Sequence, residues 1–423
     1  MPAPEKTARR SLLVTSATLL SLPLAALAAP AALAAPGRSA SPSTAPPAHM
    51  STVGGARLGR AGTQVNLGAG VPVLPKGLTA RSWIVSDAES GEVLASHNAH
   101  WRLPPASTLK MLFADTLLPK FPKTTKHKVV HADLAGIGAG SSMVGIKENQ
   151  TYTVHDLWLG VFLRSGNDAV HALSAMNHGV GRTVKDMQAH ADELQALDTH
   201  VVSPDGYDEK RQVSSAYDLT LFARSGLQKK DFREYCSTVR AKFPGETKKD
   251  KKGRTVHQSF EIRNTNRLLS GDYDVPVYQG IAGVKNGNTT NAGATFTGVA
   301  ERNGKVLLVT VMKPEKRDHN EVYKEAAKLL DWGFQAAGKV RPVGELAPPK
   351  NAARPSGQPG SATPARDAGD SPSAKPVAAS RSGSRGIVIA LAIAGGALVL
   401  LAGGVFLVNR RWPLPDLVRR RSS

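Results

Sequence analysis

Between residues 78 and 343 the hydrophobic positions come in short blocks whose period changes along the chain. RSWIVSD (Arg81 to Asp87) and EVLASH (Glu92 to His97) are short apolar runs either side of a Gly-containing turn, which predicts a strand hairpin. Directly after Pro104 and Pro105 the spacing becomes helical, with Leu109, Leu112, Phe113 and Leu117 on one face of STLKMLFADTLL. A second helical region, VHDLWLGVFLRSGNDAVHALSAM, is interrupted at Arg164 to Asp168. Strand-like runs return at Ala292 to Ala300 and Lys305 to Met312, joined by Glu-Arg-Asn-Gly, with Val284 to Gly287 on the strand leading into them. The helix KEAAKLLDWGFQ (Lys324 to Gln335) follows. The pattern predicts an α/β (α+β) fold. Strands 82–97 and 280–312 share one antiparallel sheet flanked by helices, and the residues between them form a mainly helical lobe.

The ends of the chain follow another rule. Residues 1–35 carry Lys6, Arg9 and Arg10 and then an apolar run ending in small residues, the pattern of a signal peptide. Arg9-Arg10-Ser-Leu-Leu also resembles a twin-arginine signal, so two routes stay open, that one and ordinary Sec export. Gly386 to Val408 is uncharged and, at ~1.5 Å per residue, long enough for the ~30 Å hydrocarbon core of a bilayer. Arg410, Arg411, Arg419, Arg420 and Arg421 follow, which keeps residues 409–423 as a basic cytoplasmic tail and the bulk of the chain outside. The alternative of a buried core helix has nothing downstream to bury it. Residues 36–77 and 344–385 are rich in Pro, Ser, Gly and Ala and read as flexible linkers. The expected product is a single-pass cell-membrane protein with one extracellular domain, 78–343.

The formal charge of +20 admits nucleic acid, membrane or an anionic wall as partners. Export argues against nucleic acid, and KKDKKGR (Lys248 to Arg254) reads as a solvated loop. The single cysteine, Cys236, forms no internal disulfide and reads as a buried structural thiol. The 12 histidines are scattered, and His97 and His100 read as surface imidazoles in a loop without a third ligand. GIGAGSS (Gly136 to Ser142) lacks the context of a phosphate loop. No metal and no cofactor are expected.

Ser107 is the only serine with a lysine three residues on, Lys110, and the two share a turn at a helix start. A serine hydroxyl is a poor nucleophile until something takes its proton, and a desolvated lysine does so when its pKa falls. Taken alone, the pair also fits a capping serine beside an exposed lysine. Ser165-Gly166-Asn167 breaks the two helices, and Lys285-Asn286-Gly287 lies on a strand. Ser96-His97-Asn98 and Lys251-Lys252-Gly253 repeat these triplets in the wrong settings, a strand end before Ser107 and a charged loop.

In that order, S-x-x-K, S-x-N and K-x-G resemble the penicillin-binding and serine β-lactamase superfamily. The resemblance is closest to exported D-alanyl-D-alanine carboxypeptidases, the low-molecular-mass penicillin-binding proteins. It extends to SDAESGEVLASHNAHWRLPPASTLK, LRSGNDAV, SSAYDL, RNTNRLL and GVKNGNTTNAG, and so over residues 80–335. It implies a transpeptidase-like sheet domain with a helical region and the site at their junction. Ser107 would be acylated by the penultimate D-alanine of a peptidoglycan stem peptide, and by β-lactams as covalent inhibitors. Lys110 would be the base, kept partly neutral by Lys285. Ser165 would pass a proton to the leaving amine, Asn167 would hold the substrate amide and Lys110, and Lys285 would attract the terminal carboxylate. Backbone N–H groups of Ser107 and Asn288 would form the oxyanion hole, beside Gly287. The family reads Lys-Thr-Gly where this chain has Asn286, which implies altered preference or reduced turnover. Two alternatives stay open. One is a β-lactamase, which the lack of E-x-x-L-N between Ser165 and Lys285 disfavours. The other is a weak or non-catalytic wall-binding protein that keeps the cleft.

Overall fold

The structure, a computed structural model, describes residues 45–352. The expected signal peptide, the membrane span 386–408 and the basic tail lie outside the described residues. Among those described, no helix is long and apolar enough to cross a membrane.

In chain order, β1 (Thr63–Val65), β2 (Ala80–Asp87) and β3 (Glu92–His97) open the domain. A 3-10 turn over Ala106–Leu109 leads into α1 (Lys110–Leu117), and the short strands β4 (Lys126–Lys128) and β5 (Thr151–Thr153) pair with each other. The helical region contains α2 (Val154–Arg164), α3 (Asn167–Met176), α4 (Val180–Glu193), α5 (Ala216–Gly226) and α6 (Lys230–Ser237). A hairpin of β6 (Arg240–Lys249) and β7 (Thr255–Arg263) precedes the short α7 (Arg267–Ser270). The chain returns to the sheet as β8 (Ile281–Thr289), β9 (Gly293–Arg302) and β10 (Lys305–Pro314), and ends with α8 (Glu321–Ala336) and β11 (Gly344–Glu345).

Strands 82–97 and 280–312 do share one antiparallel sheet, in the order β1-β3-β2-β10-β9-β8, with β11 on β3. Its faces are separated by the two-residue period of a strand. Leu307, Val309 and Val311 of β10 pack toward Val322, Ala326, Leu329 and Leu330 of α8, whereas Leu308 and Met312 join the core of the helical lobe. Because both faces are covered, every residue of β2 except Arg81 is buried, Ser82, Ser86 and Asp87 included.

Two expectations need correction. The region expected to be mainly helical also holds the β6–β7 hairpin, and Lys248 to Arg254 spans its tip, where Asp250 Oδ1 accepts from the backbone N–H of Lys252 and Arg254. Almost every residue of β7 is exposed, so no apolar alternation marked it. The described part of 36–77 is also no free spacer. Leu58 is fully buried, β1 pairs with β3 (Thr63 opposite His97), and Trp332 Nε1 donates to Pro72 O at 2.8 Å. At the other end Leu346 is buried and Ala347 N donates to the Tyr217 hydroxyl at 2.8 Å. Their apolar anchors are few and scattered, Leu58 and Leu346 in the core with Val65, Val71 and Leu74 half-buried against it. The segments are held by backbone hydrogen bonds to the edge of the sheet, which they also protect from pairing with other chains.

Candidate active site

The turn that carries Ser107 is built by backbone restraints. Leu103 pairs with Ser214 in both directions, at 2.8 and 2.9 Å, and Thr295 Oγ1 donates to Pro105 O at 3.0 Å. Ala106 then takes a left-handed φ of 50°, which costs a non-glycine residue about 1 kcal/mol. Ser107 follows inside the 3-10 turn. Neither that turn nor α1 has a side-chain cap, so the capping reading of Ser107 falls away.

Lys110, the first residue of α1, is 1% exposed. Its Nζ lies 2.8 Å from Ser107 Oγ, the amine donating when charged and accepting when neutral, and 2.5 Å from Asp205 O. Burial lowers the ammonium pKa to about 8, against the opposing pull of the Asp205 and Asp168 carboxylates. Lys285 is buried as deeply, and its pKa falls well below the ordinary value through burial first and the charge of Lys110 second. Desolvation, rather than the neighbouring cation, is therefore the main reason Lys110 loses its proton easily.

The second wall is the break between α2 and α3. Thr153 and Asp156 form a capping box at the start of α2, and Ser165 ends it in the left-handed conformation at φ 57°. Lys285 Nζ donates to Ser165 Oγ at 3.0 Å and to Asn286 O at 2.7 Å, which joins the second and third motifs. Asn167 does not reach Lys110: its Nδ2 donates to Ser141 Oγ at 2.9 Å, and Asp205 O is the lysine's second partner. Asn167 Oδ1 is buried and has no hydrogen-bond partner.

β8 is the third wall, an edge strand whose far side is paired only with β9. A Cβ on Gly287 would lie 2.7 Å from Ser107 N and 2.6 Å from Thr295 Oγ1, so only glycine lets the strand close on the Ser107 turn. Asn288 is exposed beyond it. Asn286 Oδ1 accepts from Thr265 Oγ1 at 3.0 Å, which fixes the orientation of its amide and leaves Nδ2 as a free donor. The triplets that repeat elsewhere serve other ends: Asn98 bonds Gly62 N and Arg81 O, and Lys252 sits on the hairpin tip.

Sequence reasoning missed Asp168, Asp205, Thr265 and Ser141. Asp205 and Gly206 belong to a Pro-Asp-Gly turn, a legible signal. Ser141 lies in the stretch dismissed as a phosphate loop and lines this site instead. Asp168 is fully buried and accepts from Val144 N, Gly145 N and Ile146 N at 2.8 to 2.9 Å, holding that stretch against α3. Asp168→Ala leaves three backbone donors without their acceptor. It is expected to cost about 3 kcal/mol, read as a lower midpoint in thermal unfolding, with Asp168→Asn costing less.

His100 is not a surface imidazole. It is 2% exposed, with Nδ1 2.6 Å from Asp198 Oδ2 and Nε2 donating to Val53 O at 3.0 Å. With Asp218 this makes a cluster of metal-ligand type, but Arg102 takes the other Asp198 oxygen at 3.3 Å, and Asp218 Oδ2 accepts from Asp198 N and Thr199 Oγ1, so hydrogen bonds within the protein already engage these carboxylates. Cys236 is buried, its thiol pushed up to about 12 by desolvation, as a structural cysteine should be.

Comparison with known proteins bears on this geometry. A family model described as D-alanyl-D-alanine carboxypeptidase (Peptidase S11) matches residues 70–316. The chain is similar to D-alanyl-D-alanine carboxypeptidase DacB2 of Mycobacterium tuberculosis, 34% identical over 66% of this chain and 89% of that protein. It is 27% identical to D-alanyl-D-alanine carboxypeptidase DacD of Escherichia coli, over 62% and 64% of the two chains. Among solved structures, an evolved putative penicillin-binding protein homolog from Mycobacterium tuberculosis superposes with a TM-score of 0.58 at 32% identity, covering 67% of this chain and 100% of the other. The Streptomyces K15 DD-transpeptidase gives 0.55 at 25% identity, over 62% and 99%.

Proposed function

The chain belongs to the D-alanyl-D-alanine carboxypeptidase family Peptidase S11, a class of serine hydrolases, and on that premise we propose that it trims the terminal D-alanine from peptidoglycan stem pentapeptides through an acyl-enzyme on Ser107. The observation that carries this reading is the 2.8 Å contact between Ser107 Oγ and a lysine that burial holds at a pKa of about 8.

Neutral Lys110 takes the hydroxyl proton as Oγ attacks the carbonyl carbon of the penultimate D-alanine. The developing oxyanion is met by the backbone N–H groups of Ser107 and Asn288, donors of a kind that lowers acyl-transfer barriers by several kcal/mol. Ser165, hydrogen-bonded to Lys285, relays a proton to the nitrogen of the departing D-alanine as the amide bond breaks. Water then cleaves the ester, with its proton returning through Lys110. Lys285 and the amide of Asn286 receive the substrate's terminal carboxylate, and Asn167 Oδ1 accepts from the substrate backbone. A penicillin carbonyl meets the same Oγ, its ring opens, and the acyl group stays. The protein works outside the cell, tethered by the 386–408 segment.

A fast-deacylating β-lactamase would release the opened drug quickly, whereas this reading expects a Ser107 adduct lasting many minutes. The binder reading rests on Asn286, and D-alanine release from a pentapeptide decides it. Asn286→Ala is expected to lower kcat/KM about tenfold, the worth of one hydrogen bond to a charged group, and Asn286→Thr to raise it above the parent. Equal and negligible release by the parent and by Ser107→Ala would rule out the enzyme.

A further inference from the structure

A cleft of 1190 Å³ outside the catalytic one is lined by Arg81, Arg102, Lys210, Arg211 and Lys313. It borders both catalytic elements, since Pro104 precedes Ser107 by three residues and Thr290 and Asn291 continue β8. Its charge is unbalanced. Of the two carboxylates in its lining, Asp198 has both oxygens engaged, by His100 at 2.6 Å and Arg102 at 3.3 Å, which leaves Glu209. Arg81 pairs with Glu315 at 3.1 Å and lies over the ring of Trp101. Lys313 donates to Asn291 O at 2.7 Å and forms no ion pair among the described residues. Its ammonium pKa is lowered by burial and by the charge of Arg81, against a weaker pull from Asp208 and Glu315, so the cations crowd one another.

The loop that presents Lys210 and Arg211 is held in place. Gln212 is buried, its Oε1 accepts from Val202 N and Ser203 N, and its Nε2 donates to Ser203 Oγ and Tyr207 O. Arg211 is fixed at a left-handed φ of 71°. Lys210 and Arg211 are exposed and have no hydrogen-bond or ion-pair partner among the described residues. A concave wall of five cations, of which Lys210, Arg211 and Lys313 have no ion-pair partner among the described residues, fits a ligand carrying several oxyanions.

We propose that this cleft is an anion-binding subsite that grips a phosphodiester-bearing stretch of cell-wall polymer while the stem peptide occupies the Ser107 site. The identity of the polymer rests on the function proposed above; the anion site does not. The test is therefore a binding measurement on the full-length chain carrying Ser107→Ala, which needs no turnover. The probes are poly(glycerol phosphate) and a stem pentapeptide with a side-chain carboxylate at its third residue, compared with the same peptide amidated there. Lys210→Gln/Arg211→Gln is expected to weaken binding of poly(glycerol phosphate) by about tenfold, because two charge-assisted contacts are lost. Lys251→Gln/Lys252→Gln removes the same charge from the hairpin tip and should change affinity less than about twofold at physiological salt. Loss of poly(glycerol phosphate) binding supports the phosphodiester polymer, and loss confined to the carboxylate peptide overturns it in favour of the stem. Binding of neither probe, or equal weakening by both pairs of substitutions, overturns the proposal. D-alanine release from the amidated pentapeptide, unchanged by Lys210→Gln/Arg211→Gln in the parent chain, separates this result from a failure of the catalytic reading.

Discussion

Ser107→Ala is expected to lower D-alanine release from a pentapeptide by on the order of 10⁴-fold or more, because no other group in the cleft forms the acyl bond. Covalent penicillin labelling should vanish with it. The turn around Ser107 is set by the Leu103–Ser214 backbone pair and by Thr295 on Pro105 O, and the serine hydroxyl caps no helix. The alanine protein should therefore fold with an unchanged melting midpoint, and should still bind the pentapeptide. Measured release, labelling and thermal unfolding together separate a lost nucleophile from a lost fold.

Lys110→Met should lower turnover by on the order of 10³-fold, the usual contribution of a well-placed general base. The parent enzyme carries a related signature in its pH profile. The active form of Lys110 is the neutral amine, so activity should rise with pH through about 8, and about one hundredth of the plateau should remain near pH 6. Stability follows the same sign. The folded pKa of about 8 lies below the ordinary 10.5, so between these values the unfolded chain binds more protons and the folded state gains stability as pH rises. At pH 7 the buried ammonium is a burden to the fold. Lys110→Met, close in length and apolar, is accordingly expected to raise the melting midpoint while removing activity. A variant that loses both stability and activity would instead mark the lysine as a structural anchor for the Asp205 carbonyl.

Much of the candidate site was legible because its parts have local signals. The helix-start spacing after Pro105, the Ser-Gly-Asn break and the strand around Lys285 each stood out in the sequence, and the structure brings Ser107 to Lys110 and Ser165 to Lys285. The sheet was legible too, since β10 is a long apolar run and Gly-containing turns follow β2 and β9. What the sequence hid depends on contacts between distant residues. Thr265 meets Asn286 across 21 positions, Asp205 meets Lys110 across 95, and Asp168 meets residues 22 to 24 positions back. None of these partners has a spacing that implies the other. The N-terminal strap and the β6–β7 hairpin were hidden for a different reason. They are held by backbone hydrogen bonds with few buried side chains, and hydrophobic patterning is blind to that kind of order. His100 shows the converse error, since a histidine followed by Trp and Arg looks exposed until Asp198 closes over it.

The most direct test is the rate at which a penicillin forms its adduct, followed by intact mass across pH 6 to 9 with the modified peptide then identified. One adduct on the peptide containing Ser107, forming faster as pH rises through about 8, is the result expected of a serine activated by a buried amine. An adduct elsewhere in the chain, or a rate that does not change over that range, would contradict it.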